Sequence, residues 1–203
     1  MQVYTTPKLN KVKVTSDFWK RYRELVVKEV LPYQWKVMND EADISISEDP
    51  QNNGQDKNSH AIANLKIAAG QMKGHHYGFP FQDTDVYKWL EAAAYSFGYH
   101  PNPDLKKITD NLIDLIADAQ EDDGYLSTYF QIDAPERKFK RLQQSHELNK
   151  EWVITLKRGL LTIMKLAMKR LWILQSAWLT ASTKTSALKK VRFTVTMVTQ
   201  KLN

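Results

Sequence analysis

The chain of 203 residues contains no cysteine. It therefore has no disulfide framework, no thiolate nucleophile and no cysteine-ligated metal of its own. Long apolar runs are missing as well. The longest, at 159–164 and 171–174, are interrupted by Lys165, Lys169 and Arg170. They fall far short of the roughly 20 apolar residues that a membrane span needs. Residues 1–14 lack the apolar core of a secretory signal, so a cytoplasmic location is expected. Strand-like alternation is absent too, apart from residues 191–198. With 42% hydrophobic residues the chain can bury a core and is not a disordered tail.

Charge is abundant but unevenly placed. The net charge is +6 and the sequence pI is about 9.3, which alone would suggest a nucleic-acid or anionic-membrane partner. However, residues 1–148 hold 18 Lys+Arg and 22 Asp+Glu, a net −4. Residues 149–203 hold 11 Lys+Arg and one acid, Glu151, a net +10. That last quarter also lacks Asp, Pro, Tyr and His, although the chain has seven Pro, nine Tyr and five His. The division is therefore drawn between residues 1–148 and a basic tail at 149–203. No nucleic-acid or membrane partner is expected.

The first part reads as all-α. Ser16 and Asp17 open a helix over 17–30 with Phe18, Tyr22, Leu25 and Val26 on one side, and Pro32 ends or kinks it. A short helix follows at 33–38, and residues 48–59 form a polar loop. Ser59 is expected to cap a helix over 60–69 that stops near Gly70. Asp83 or Thr84 caps the next, in which Val86, Trp89, Leu90, Ala93 and Phe97 share a face. The clearest amphipathic helix carries Leu105, Ile108, Leu112, Leu115, Ile116 and Ala119, and a further one starts near Gln143.

Most residues with chemistry to offer also have a structural reading. His75-His76 offers two metal ligands, but adjacent loop residues rarely face one ion and no third ligand is near in sequence. Asp83 and Asp85 form a carboxylate pair suited to acid–base work, or a negative helix start. Asp122-Asp123-Gly124-Tyr125 reads as a helix stop and turn. The many Trp and Tyr residues fit a core, or a pocket that stacks on sugar faces. His146, after Gln143-Gln144-Ser145, is more readily structural than catalytic.

Taken in order, several words resemble glycoside hydrolase family 127, the β-L-arabinofuranosidases. They are Asp17-Phe18-Trp19-Lys20, Pro32-Tyr33-Gln34-Trp35, Ser59-His60-Ala61 with Ala63-Asn64-Leu65-Lys66, the long word Phe81-Gln82-Asp83-Thr84-Asp85-Val86-Tyr87-Lys88-Trp89-Leu90-Glu91, Ala119-Gln120 with Asp123-Gly124-Tyr125-Leu126, and Gln143-Gln144-Ser145-His146-Glu147. The resemblance implies the first helices of an (α/α)6 barrel, so a partial barrel. It implies retaining hydrolysis of terminal β-L-arabinofuranosyl groups, with an arabinofuranoside sugar as ligand. It also implies a zinc-bound cysteine nucleophile and a glutamate acid/base, which this chain does not contain. What carries over is His146, expected to hydrogen-bond a sugar hydroxyl. No catalytic residue, metal ligand or cofactor is expected within the chain, and a homodimer is the assembly that the family allows at full length.

The resemblance of words stops at Leu148, where a Tyr and then a Met-Gly-His-Tyr-Ile-Glu-Ala helix would follow. In a frame displaced by one base, some codons are forced. Trp172-Ile173 then yields Asp, Met164-Lys165 and Met168-Lys169 yield Glu, and Met197-Val198 yields Gly. Permitted third bases let that frame spell the missing helix. Residues from about 149 are therefore expected to be an out-of-frame translation. The chain is expected to be an enzyme fragment, inactive alone. The competing expectations are a non-catalytic carbohydrate-binding helical module and, more weakly, a basic amphipathic surface-binding tail.

Overall fold

The structure, a computed structural model, describes residues 12–43, 58–122 and 124–138. Every regular element among the described residues is helical: α1 (Asp17–Leu25), a π turn (Val26–Val30), α2 (Leu31–Met38), α3 (Ala61–Ala68), α4 (Asp83–Phe97), α5 (Pro103–Ala119), α6 (Thr128–Ile132) and a 3-10 turn (Pro135–Arg137). The all-α expectation holds. The polar loop at 48–57, the helix at Gln143, His146, the 148/149 boundary and the whole of 149–203 lie outside the described residues.

The two longest helices follow their sequence patterns. In α4, Val86, Trp89, Leu90 and Ala93 are buried, and Phe97 packs against the same core. In α5, Leu105, Leu112, Ile116 and Ala119 are buried, with Ile108 and Leu115 at the margin. Pro103 occupies the first helical turn, where its missing N–H costs nothing, and the Asn102 side chain accepts from the N–H groups of Asp104 and Leu105, both at 3.0 Å. Asn102 is a cap that the sequence reading passed over between two prolines. α3 lies centrally, touching α4, α5 and α6, and ends in a left-handed Gly70 (φ +71). There Gln71 N–H reaches the Lys66 carbonyl and Gly70 N–H that of Ile67.

Three local expectations are corrected. Pro32 does not break the first helix. The chain widens into the π turn, Leu31 N–H bonds back to the Val26 carbonyl, and α2 continues with Pro32 in its opening turn. The wider turn removes the clash that a proline ring makes with the carbonyl four residues before it. Ser59 does not cap α3. His60 occupies the cap position in a left-handed conformation (φ 53), held by Asp40, whose carboxylate accepts His60 N–H at 2.7 Å and meets His60 Nδ1 at 2.9 Å. Nor does Asp83 or Thr84 cap α4. Gln82 precedes the helix without a side-chain cap bond, and Asp83 turns elsewhere.

The face of α1 is a fourth surprise. Phe18, Tyr22 and Leu25 share a side as the spacing predicts, yet no residue of α1 is buried. α2 and α4 are joined instead by Trp89, whose indole N–H donates to the Leu31 carbonyl at 3.0 Å while its ring meets Trp35 at 5.0 Å.

Candidate functional site

The described residues form two polar clusters around α3, α4 and α6. The first begins at Asn64, fully buried in α3. Its amide clamps the backbone of Tyr77: Oδ1 accepts Tyr77 N–H at 2.9 Å and Nδ2 donates to the Tyr77 carbonyl at 2.8 Å. Those two bonds fix the amide orientation. Nδ2 then faces His76 Nε2 at 3.3 Å, so that ring nitrogen must be an acceptor. The His76 ring packs edge-on to Tyr129 of α6 at 5.4 Å. Burial drives the His76 pKa down from 6.5 to about 4, against the opposing pull of Asp133. Asp133, just after α6, accepts from His76 N–H at 3.2 Å and lies 3.4 Å from His75 Nδ1.

Thus His75 and His76 do not converge on an ion. His75 is exposed and His76 is turned inward. Among the described residues, no three His, Cys, Asp or Glu side chains are grouped so as to hold a metal. The chain has no cysteine either. The residues present therefore do not fit a cysteine-bound zinc.

The second cluster is built by the longest sequence word. Gln82 Nε2 donates to Ser59 Oγ and to Asp85 Oδ2, each at 3.2 Å. Its Oε1 accepts Phe79 N–H at 3.4 Å and crowds Gly78 (φ +78), where a Cβ would approach to 2.9 Å. Asp83, 1% exposed, accepts from Thr128 N–H at 2.8 Å and from Thr128 Oγ1 at 2.6 Å. It therefore satisfies the free N-terminus of α6, 45 residues downstream. Burial raises the Asp83 pKa from 3.8 to about 6; the two Thr128 bonds hold it down and nearby Asp85 adds to the rise. Asp85 points outward to Lys88 at 3.0 Å. The two carboxylates do not act as a pair. Asp83 is a buried tie and Asp85 a surface group.

Asp122, Gly124 and Tyr125 form the turn expected of them. Gly124 is left-handed (φ 88), its N–H bonds the Glu121 carbonyl at 2.7 Å, and Tyr125 is buried. Asp123 lies outside the described residues, as does His146, the one expected sugar contact. Asn64, Gln82, Thr128 and Asp133 carry most of the polar architecture, and the sequence reading assigned them no role. Asn64 and Gln82 lie inside the specific words, which was their signal; Thr128 and Asp133 lie outside every word and had none. Both clusters are largely satisfied internally and hold the ends of α3, α4 and α6 together.

Comparison with known proteins gives these words their context. The sequence pattern of the β-L-arabinofuranosidase GH127 catalytic domain matches residues 11–181, running past the compositional break at 148. The chain is 53% identical over 142 residues to a non-reducing end β-L-arabinofuranosidase from Bifidobacterium longum subsp. longum, covering 68% of this chain but 22% of that protein. Its fold is similar to the crystal structure of a GH127 β-L-arabinofuranosidase from Geobacillus stearothermophilus T6, with a TM-score of 0.73 and 36% identity. The likeness covers 83% of this chain and 25% of that one. A second GH127 β-arabinofuranosidase structure, 21% identical with a TM-score of 0.63, shares the fold. The helices described above are accordingly part of an (α/α)6 barrel.

Proposed function

Because this chain belongs to glycoside hydrolase family 127, the β-L-arabinofuranosidases, we propose that it carries the opening part of a retaining enzyme of that family. Such an enzyme removes terminal β-L-arabinofuranosyl groups from plant glycans or glycopeptides. The observation that carries this reading is the 53% identity to the Bifidobacterium longum enzyme. In this reading residues 1–148 supply barrel helices and one sugar contact, His146, whose ring hydrogen-bonds a hydroxyl. It is not the acid/base. The whole protein acts where a terminal arabinofuranoside is presented. No described helix is long and apolar enough to cross a membrane.

The chain spans about a fifth to a quarter of its relatives' length. We propose that it is inactive by itself. Supporting this, its sequence has no cysteine, and Asp83, the buried carboxylate among the described residues, is committed to holding Thr128. In an assay with p-nitrophenyl β-L-arabinofuranoside, the purified 203-residue chain releases no nitrophenol above buffer; turnover would overturn the proposal. Sugar binding without turnover, abolished by His146→Ala, would mark a carbohydrate-binding module instead.

Residues from about 149 are proposed to be read in a displaced frame. The abrupt loss of acids, Pro, Tyr and His, together with the forced codons, supports this. The nucleotide sequence is decisive, because codons that do not spell a Met-Gly-His-Tyr-Ile-Glu-Ala helix in the displaced frame would sink it. The family match to residue 181 is the observation it must survive.

A further inference from the structure

The loop between α3 and α4 is fastened by a histidine that cannot be charged where it sits. The Asn64 amide oxygen accepts Tyr77 N–H at 2.9 Å, and one hydrogen of Nδ2 goes to the Tyr77 carbonyl at 2.8 Å. The other hydrogen of Nδ2 faces His76 Nε2 at 3.3 Å. The neutral ring therefore carries its proton on Nδ1. A proton added to Nε2 sets two donors against each other. Turning the Asn64 amide over is no remedy, because it opposes both Tyr77 bonds at once. Asn64 is fully buried, so bulk water does not relieve the conflict either.

The charged ring has an exit. His76 is only half-buried. Asp133 already accepts His76 N–H at 3.2 Å, and its negative charge favours the imidazolium. The other groups around the ring do not offer it a second inner seat. Tyr129 of α6 meets it edge-on at 5.4 Å, and the Tyr129 hydroxyl accepts from the Arg137 guanidinium at 3.2 Å, a cation that opposes another one nearby. His75 shares Asp133 at 3.4 Å. On the α3 side Tyr77 meets His60 at 4.7 Å, and His60 is held by Asp40. Asp83, at the start of α6, takes up its proton near pH 6, in a separate window. We propose that His76 is an acid-operated latch: its neutral ring fastens residues 74–78 to α3 and α6, and protonation swings it out to Asp133, opening that loop while the core of α2 through α5 stays folded. The latch belongs to the fold of this chain and stands apart from the proposed activity. The gap between the ordinary 6.5 and about 4 is a discrimination against the seated charged ring on the order of a hundredfold. Acid shifts the balance toward the open loop by that same factor.

The test is ring-nitrogen NMR and amide hydrogen exchange on the full 203-residue chain, from pH 6.5 to just below 4. At the upper limit the His76 ring is expected as the Nδ1–H tautomer, and near pH 4 its Nε2 gains a proton. Below that pH the Tyr77 amide, corrected for its intrinsic rate, is expected to exchange at least tenfold faster than at pH 6.5. Amides of α4 and α5, such as those of Leu90 and Leu112, keep their protection. His76→Gln presents an acceptor to Asn64 and has no proton to gain, so it is expected to abolish the acid step. Asp133→Asn removes the outer seat and is expected to move the step to lower pH. A His76 ring with its proton on Nε2 at pH 6.5 overturns the proposal. So does a loop that opens only together with α4 and α5, or an acid step unchanged in His76→Gln. Should His76→Gln fail to fold, Asp133→Asn is read alone, and a step that does not move overturns the proposal as well.

Discussion

Asp83 and His76 are displaced in opposite directions by one cause, burial, and their effects on stability oppose each other below neutrality. Native Asp83 holds its proton up to about pH 6 and the unfolded carboxyl only to 3.8, so its contribution weakens as pH rises through that window. Native His76 stays neutral down to about pH 4 and the unfolded ring only to 6.5, so its contribution is lost as pH falls from 6.5 to 4. Melting curves at several pH values should therefore separate the two. His76→Gln loses less stability than the parent between pH 6.5 and 4, and Asp83→Asn loses more. Identical pH slopes for all three proteins would refute the assignment. Ser127 gives a third test. It precedes α6, yet its side chain makes no cap bond and its buried hydroxyl has no partner among the described residues. Ser127→Ala should be neutral or stabilising by up to about 1 kcal/mol, whereas a capping serine would cost about that much. A fall in melting temperature would show a hidden partner. Little at this scale was legible in the sequence. Asp83 looks like a cap for its own helix because the eye sees neighbours, and Thr128 is 45 residues away. Asn64 has no local signature, since its partners arrive with a loop that folds back.

At the scale of elements the sequence was far more informative. Periodicity placed α4 and α5 and named most of their buried residues, because a stripe every 3.6 residues has few other uses. What periodicity cannot supply is the identity of the covering surface. The α1 face obeyed the same rule and is in water among the described residues. Caps were read less well. Ser59 and Asp83 have the right composition and the wrong geometry, while Asn102, whose side chain does cap α5, was hidden between two prolines. Asn102→Ala should cost about 1 kcal/mol, visible as a lower denaturant midpoint with an unchanged slope. No shift would mean that Pro103 alone sets the start of α5.

At the scale of the molecule, the main core of the described residues joins α2 through α5, with a smaller cluster of Tyr125, Phe130 and Ala134 at α6. The words that identify the family are largely this scaffold. Gln82, Asp83, Val86 and Trp89, all within the longest word, each lock a helix end or fill the core. Family and fold were therefore legible, and the chemistry was not: the described residues hold barrel positions, and the expected sugar contact lies outside them. The π turn has a consequence for how this molecule tolerates changes of length. A turn closed five residues back contains one residue more than an ordinary helical turn, so Val26–Val30 is slack between the inward side of α2 and the outward side of α1. Proline and slack belong together. Deleting exposed Glu29 alone should tighten the turn onto the Pro32 ring and cost about 3 kcal/mol. Adding Pro32→Ala should recover most of that loss, with both sides of the helix still in phase. Deletion and proline replacement that merely add in a double-mutant cycle would show two separate features rather than one adjustable joint.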